Sequence, residues 1–292
     1  MKKSFQLSKL PLFFLCLVMV LLVLPISFWF SYVDSEENRL ASGLIYLERA
    51  DYSSFHVNPP LSNVVGAFPS FVAGDYCPTR TDLGYHLFGR MESKAGSVWM
   101  KKNEHHHQSI TAGRCCMIIF PLLGTIAIYL STKQLFNNIT TAIIASIIWI
   151  TCPYILGHGV LICPDVPSAA VGLLAVYFFW RWLKKPEMLA AFIAGIILGL
   201  AELSKFTLLI FYPLFVLIWL IYRLPELRTL SRRDFVAQIG QLVLLFAMSI
   251  LIINMGYLFE DTGRKLGKFK FQTTLFTGCE NLKDVPPIGG NR

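Results

Sequence analysis

The sequence predicts an all-α polytopic membrane protein with about seven transmembrane helices and a large first extracytoplasmic loop containing amphipathic surface helices. Composition is the first reason. Of 292 residues, 54% are hydrophobic and 15% charged, whereas a soluble domain carries about a quarter charged residues. The second is a series of seven apolar stretches, each approaching the roughly 20 residues that cross a hydrocarbon core. The third is the placing of lysine and arginine in alternate connections, as short cytoplasmic loops require.

In order, the stretches are 10–32, 111–131, 140–158, 166–183, 188–203, 206–222 and 236–258. The first is too long for the core of a signal peptide and lacks a small-residue cleavage site, so it reads as a retained helix. Only Glu202, Ser204 and Lys205 interrupt the fifth and sixth, which form a tight hairpin or one broken helix. Lys2, Lys3 and Lys9 precede the first span, and Lys133 separates the second from the third. Arg181, Lys184 and Lys185 follow the fourth, and Arg223, Arg228, Arg232 and Arg233 the sixth. With seven spans these groups share one side, which is then cytoplasmic and holds the N-terminus. The chain divides into a first helix at 1–32, an extracytoplasmic loop at 33–110, a bundle at 111–258 and an extracytoplasmic tail at 259–292. A plasma (inner) membrane location follows, with the active face outside.

A net charge of +8 points to membrane lipids, and no aromatic-basic motif points to nucleic acid. Cys16, Cys115, Cys116 and Cys152 lie in spans as packing residues. Cys77, Cys163 and Cys279 face the other side, where one disulfide has room to form without a pairing being deducible.

The outer loop is too long for a connector alone. Leu61, Val64, Val65, Phe68, Phe71 and Val72 recur at helical spacing behind Pro59-Pro60, which predicts a helix along the membrane surface, bent at Pro69. A second helix is expected over 36–49, where Leu40, Gly43, Leu44 and Leu47 share a face. Such helices suit a substrate arriving sideways from lipid, and equally a structural collar. Residues 91–110 read as a polar, mobile stretch, and His105–His107 as a solvated loop more than a metal site. Asn138-Ile139-Thr140 has the glycosylation pattern but falls on the cytoplasmic side.

Chemistry is expected where ionisable groups meet the outer border, since holding them there is costly. Asp34, Glu36 and Glu37 follow the first span. A carboxylate near low-dielectric surroundings binds protons more tightly and can act as a general base, although an interfacial acidic cluster is the plainer reading. Asp165 opens the fourth span either as a helix start ahead of Pro167 or as a site residue. Lys205 either snorkels to the interface or binds a lipid phosphate. Arg264, Lys265 and Lys268 stand among glycines in the tail, where they can hold a phosphate or simply be solvated.

Four stretches together resemble the polyprenol-phosphate-dependent glycosyltransferases of the C-type membrane fold. The likeness is to the dolichyl-phosphate-mannose protein mannosyltransferase superfamily, including the lipid A aminoarabinose transferases. Ser35-Glu36 stands where that family has an Asp-Glu pair, and Val57-Asn58-Pro59-Pro60-Leu61 is similar to its His-Pro-Pro-Leu or Lys-Pro-Pro-Leu element. Gly113-Arg114 with Leu135-Phe136 resembles its second span. Pro153 through Asp165, then Gly199 through Thr207, resembles its third to fifth. The resemblance implies transfer of a sugar, with inversion, from a polyprenyl-phosphate donor to an acceptor protein, lipid or glycan. Catalysis then falls to Glu36 or Asp34, and substrate binding to Asp165, Lys205, His56, Asn58, Arg264 and Lys268. The resemblance fixes no cofactor and leaves open whether a divalent cation takes part.

Three departures qualify it. Ser35 replaces the usual aspartate base, and Asn58 stands where a basic residue often meets donor phosphate, with His56 two residues away. Relatives usually have eleven or more spans, so the chain reads as an N-terminal fragment. The alternatives are a secondary transporter, with charge along a substrate path, and a non-catalytic remnant that binds polyprenyl lipid.

Overall fold

The computed structural model describes residues 10–29, 33, 35–52, 55, 57–83, 91–226, 231–260 and 262–264. Every regular element among them is helical. They run α1 (Leu10–Trp29), α2 (Glu36–Arg49), α3 (Leu61–Ala73), α4 (Arg80–Leu83), α5 (Met91–Lys102), α6 (His106–Met117), α7 (Ile119–Phe136), α8 (Ile139–Ile150), α9 (Pro153–His158), α10 (Asp165–Lys184), α11 (Met188–Glu202), a 3₁₀ turn at Phe206–Ile210, α12 (Phe211–Arg223) and α13 (Arg232–Gly256). The all-α membrane class is borne out.

Five segments are long and apolar enough to cross a membrane: α1, the combined His106–Phe136, α10, Phe206–Arg223 and α13. The third and fifth expected spans are shorter helices, Ile139–Ile150 and Met188–Glu202. The third is cut short because the chain turns at Thr151-Cys152 and Pro153 opens a new helix. Proline is favoured at a first helical position because its missing N–H is not needed there. α6 and α7 are likewise separated at Ile118, ahead of Pro121, which cannot donate to the preceding turn. The fifth and sixth stretches form a broken helix: α11 ends at Glu202, and Lys205 is extended before the 3₁₀ turn.

α10 occupies the centre. Val166, Ala170, Leu174, Phe179 and Trp182 are buried around it, and it packs against α7 and α11. Phe179 stacks on Phe215 of α12 with centroids 3.9 Å apart, an aromatic contact between the fourth and sixth expected spans. α11 lies close against α13, where a Cβ on Gly195 would meet the Leu245 carbonyl oxygen at 2.4 Å. At one end of the bundle Trp182 donates to Gln241, Trp219 to Gln238, and Arg223 to the Leu183 carbonyl.

The loop helices pack over the other end. α2 lies between α3 and α5, and α3 packs on α6. Both expected helices, over 36–49 and behind Pro59-Pro60, are present as α2 and α3. α3 buries Ser62, Asn63, Gly66, Ala67 and Ser70 and exposes Phe68, Phe71 and Val72. That polarity suits a helix facing lipid. Residues 91–110, read from sequence as a polar stretch without a helix assigned, hold α5 and the start of α6. Ala95, Trp99 and Asn103 sit four residues apart and are all buried, so a helical face is hidden among polar neighbours. Asn138 caps α8, its side chain accepting from the Thr140 and Thr141 amides.

Candidate functional site

The site begins at the turn into α2. Ser35 has a left-handed backbone (φ 90°), which turns the chain so that Glu36 points inward. Glu36 is 1% exposed and receives three N–H groups. Its Oε1 accepts from Arg114 Nε at 3.1 Å and from the Ile162 amide at 3.1 Å, and its Oε2 accepts from Arg114 Nη2. One turn on, Arg39 donates to the Ile162 carbonyl at 3.0 Å. Both polar groups of the Ile162 backbone are therefore held by α2. A bidentate arginine-carboxylate pair with a backbone donor can offset the cost of burying two charges.

That clamp fixes the segment 159–164, which is buried throughout. It delivers Asp165 to the start of α10. Lys205 arrives from the break between α11 and the 3₁₀ turn, and its Nζ donates to Asp165 Oδ1 at 2.7 Å. Unlike Glu36 and Arg114, this pair reaches solvent, its side chains 32% and 35% exposed. Arg39 lies near enough to act on the charge of Asp165, and the Tyr154 phenol faces the same carboxylate. Two cations, a carboxylate and a phenol thus meet at one end of the bundle.

Next to Lys205, Glu202 is 3% exposed, and neither carboxylate oxygen has a hydrogen-bond partner among the described residues. The Leu61 amide donates to the Leu203 carbonyl at 3.1 Å, so Pro59-Pro60-Leu61 docks on the same turn. Asn58 comes with it, into a shallow crevice shared with Tyr46, Tyr52 and Tyr257. The Tyr46 and Tyr52 hydroxyls both donate to the Gly256 carbonyl, tying α2 to the end of α13. Burial pushes the Tyr52 and Tyr257 phenols upward, Tyr257 to about 12, so both remain protonated donors.

Farther along the loop, Asp82 accepts from the Thr79 hydroxyl (2.6 Å), the Thr79 amide (2.8 Å), Tyr76 and Lys102. These bonds, led by Thr79 and Tyr76, hold its carboxyl below the usual range. Cys77 and Cys163 are both buried free thiols, and burial pushes Cys77 up to about 12. Among the described residues no group of three His, Cys, Asp or Glu could hold a metal.

Of the residues expected from sequence, Glu36, Asp165, Lys205 and Asn58 come to this end of the bundle. Arg264 follows the end of α13, half-exposed. Asp34, His56, Lys268 and Cys279 lie outside the described residues. Sequence reasoning missed Arg39 and Tyr154. Arg39 had a signal, since it stands three residues from Glu36 on one helix face. Tyr154 had none, for only the fold brings it to Asp165.

Five helices long and apolar enough to cross a membrane, with ionisable side chains gathered at one end, define an integral membrane protein. The chain belongs to the dolichyl-phosphate-mannose-protein mannosyltransferase family, which it matches over residues 105–255, just over half its length. It is a membrane glycosyltransferase of the mannosyltransferase type. The match takes in Arg114, Asp165 and Lys205, and the stretch with Glu36 and Asn58 precedes it. No curated protein and no solved structure matches the chain.

Proposed function

We propose that this protein transfers a sugar from a polyprenyl-phosphate donor to a hydroxyl of an acceptor at the outer membrane face, inverting the anomeric carbon. The observation that carries the reading is the half-exposed Asp165–Lys205 pair beside Arg39, inside the family match. A donor phosphate entering there competes with Asp165 for Lys205, and Arg39 adds a second cation. Ammonium and guanidinium groups placed at a leaving phosphate stabilise the negative charge that develops on it.

The reaction balances as one displacement. A carboxylate takes the acceptor's proton as its oxygen forms a bond to the anomeric carbon. The bond from that carbon to the phosphate oxygen breaks, and the lipid phosphate leaves with the electron pair. We assign the proton to Asp34. Glu36 is buried and already receives Arg114 and the Ile162 amide, which fits a residue that positions the site. Basic groups grouped on the other bundle end support a cytoplasmic N-terminus.

Transfer of labelled mannose from dolichyl-phosphate or undecaprenyl-phosphate mannose, in membranes, tests this. Lys205→Met and Asp34→Asn are expected to lower transfer by roughly 10²–10⁴-fold at normal protein levels. Full activity in Asp34→Asn would reassign the base, and full activity in Lys205→Met would remove the phosphate site.

A further inference from the structure

We propose that the stacked rings of Tyr154 and His158 form a shelf for the pyranose ring of the lipid-linked sugar, a reading that rests on the donor site above. Pro153 starts α9 immediately after the break at Cys152, and the helix is six residues long. Tyr154 and His158 stand four apart on it, so they share a face. Their rings lie nearly parallel, 14° apart with centroids at 4.2 Å. His158 Nδ1 is 3.3 Å from the Tyr154 carbonyl oxygen, which fixes the tilt of the imidazole.

The stack is half-exposed, with Tyr154 50% accessible. It also adjoins the charged pair, because the Tyr154 phenol faces Asp165 and feels Lys205. The order across the surface is cation, carboxylate, phenol, flat ring. A glycosyl phosphate presents the matching order: phosphate, ring hydroxyls, and a face of C–H groups that packs on aromatic carbon. Two rings already held against each other lose little freedom when a sugar arrives, which favours binding. A tyrosine serving only as an interfacial anchor turns its hydroxyl to water or headgroups. This one lies close enough to the Asp165 carboxylate to interact with its charge.

The shelf is tested with two soluble probes on the purified full chain in detergent: citronellyl phosphate mannose and citronellyl phosphate. Their dissociation constants are measured on each variant, and the ratio is the readout. Wild type is expected to prefer the sugar-bearing probe by roughly threefold to tenfold, the range of one aromatic contact. Tyr154→Leu and His158→Ala are expected to abolish that preference, read as the ratio alone because Tyr154 borders the phosphate site, and Tyr154→Phe to keep most of it. A ratio measured within one preparation is insensitive to partial unfolding. A preference that survives Tyr154→Leu overturns the shelf and leaves the donor site standing. If neither probe binds wild type, the donor reading falls and the shelf falls with it.

Discussion

Arg114 and Glu36, 78 residues apart in the chain, meet as a buried pair through both guanidinium nitrogens that face the carboxylate. Their side chains are 4% and 1% exposed, so neither charge is relieved by water. The pair joins the loop helix α2 to the membrane helix α6, and Glu36 also holds Ile162. Removing one partner of such a pair leaves the other buried and alone, at about 3–5 kcal/mol. Arg114→Met is therefore expected to lower the unfolding temperature steeply in detergent. The double variant Arg114→Met/Glu36→Leu should recover much of that loss, which a thermal melt of the three proteins decides. A double variant no more stable than Arg114→Met would mean the pair is not what joins the helices.

Glu202 is the opposite case, a buried carboxylate with no hydrogen-bond partner among the described residues. Burying an unpaired charge is unfavourable, and neutralising it removes the cost. Glu202→Gln is expected to melt at the same temperature as wild type or higher. A clear fall in the melting temperature at neutral pH would show that the ionised carboxylate has a favourable interaction.

Gly43 carries the crossing of α2 over α3. A Cβ there would lie 2.1 Å from the Asn63 carbonyl oxygen, a backbone atom that can move only with its helix. Overpacking of this kind costs about 1–3 kcal/mol. Gly43→Ala should lower stability by that amount, measured by denaturant or heat, and Gly240→Ala, with open space around it, should not.

Asp82 gives a pH dependence with a definite sign. Its folded-state pKa is depressed, first by Thr79 and then by Tyr76. Its contribution is therefore full above the ordinary carboxylate range and is lost as pH falls through the lowered value. The segment 76–83 should keep its hydrogen-exchange protection from neutral pH to below that range, then lose it. Asp82→Asn should reduce protection already at neutral pH. Equal protection in both proteins at neutral pH would show that the carboxylate does not hold the loop.

Much of this was legible in the sequence. α2 and α3 were readable because apolar residues repeat at helical spacing, and Glu36, Asp165 and Lys205 because charge at the end of an apolar stretch needs a reason. Span lengths were less so, since apolar content runs straight through Thr151-Cys152 while the helix does not. α5 escaped because its described buried residues are one alanine, one glycine and one tryptophan among lysines and serines. The commitment of Glu36 could not be read at all, because Arg114 and Ile162 reach it only through the fold.

The hydrogen bond from the Leu61 amide to the Leu203 carbonyl makes α3 a lever. The helix offers Phe68, Phe71 and Val72 outward, and its first residue grips the strip of backbone two positions before Lys205. A tilt of α3 would be passed through that one hydrogen bond and two peptide units to Lys205, the lysine proposed to meet the donor phosphate.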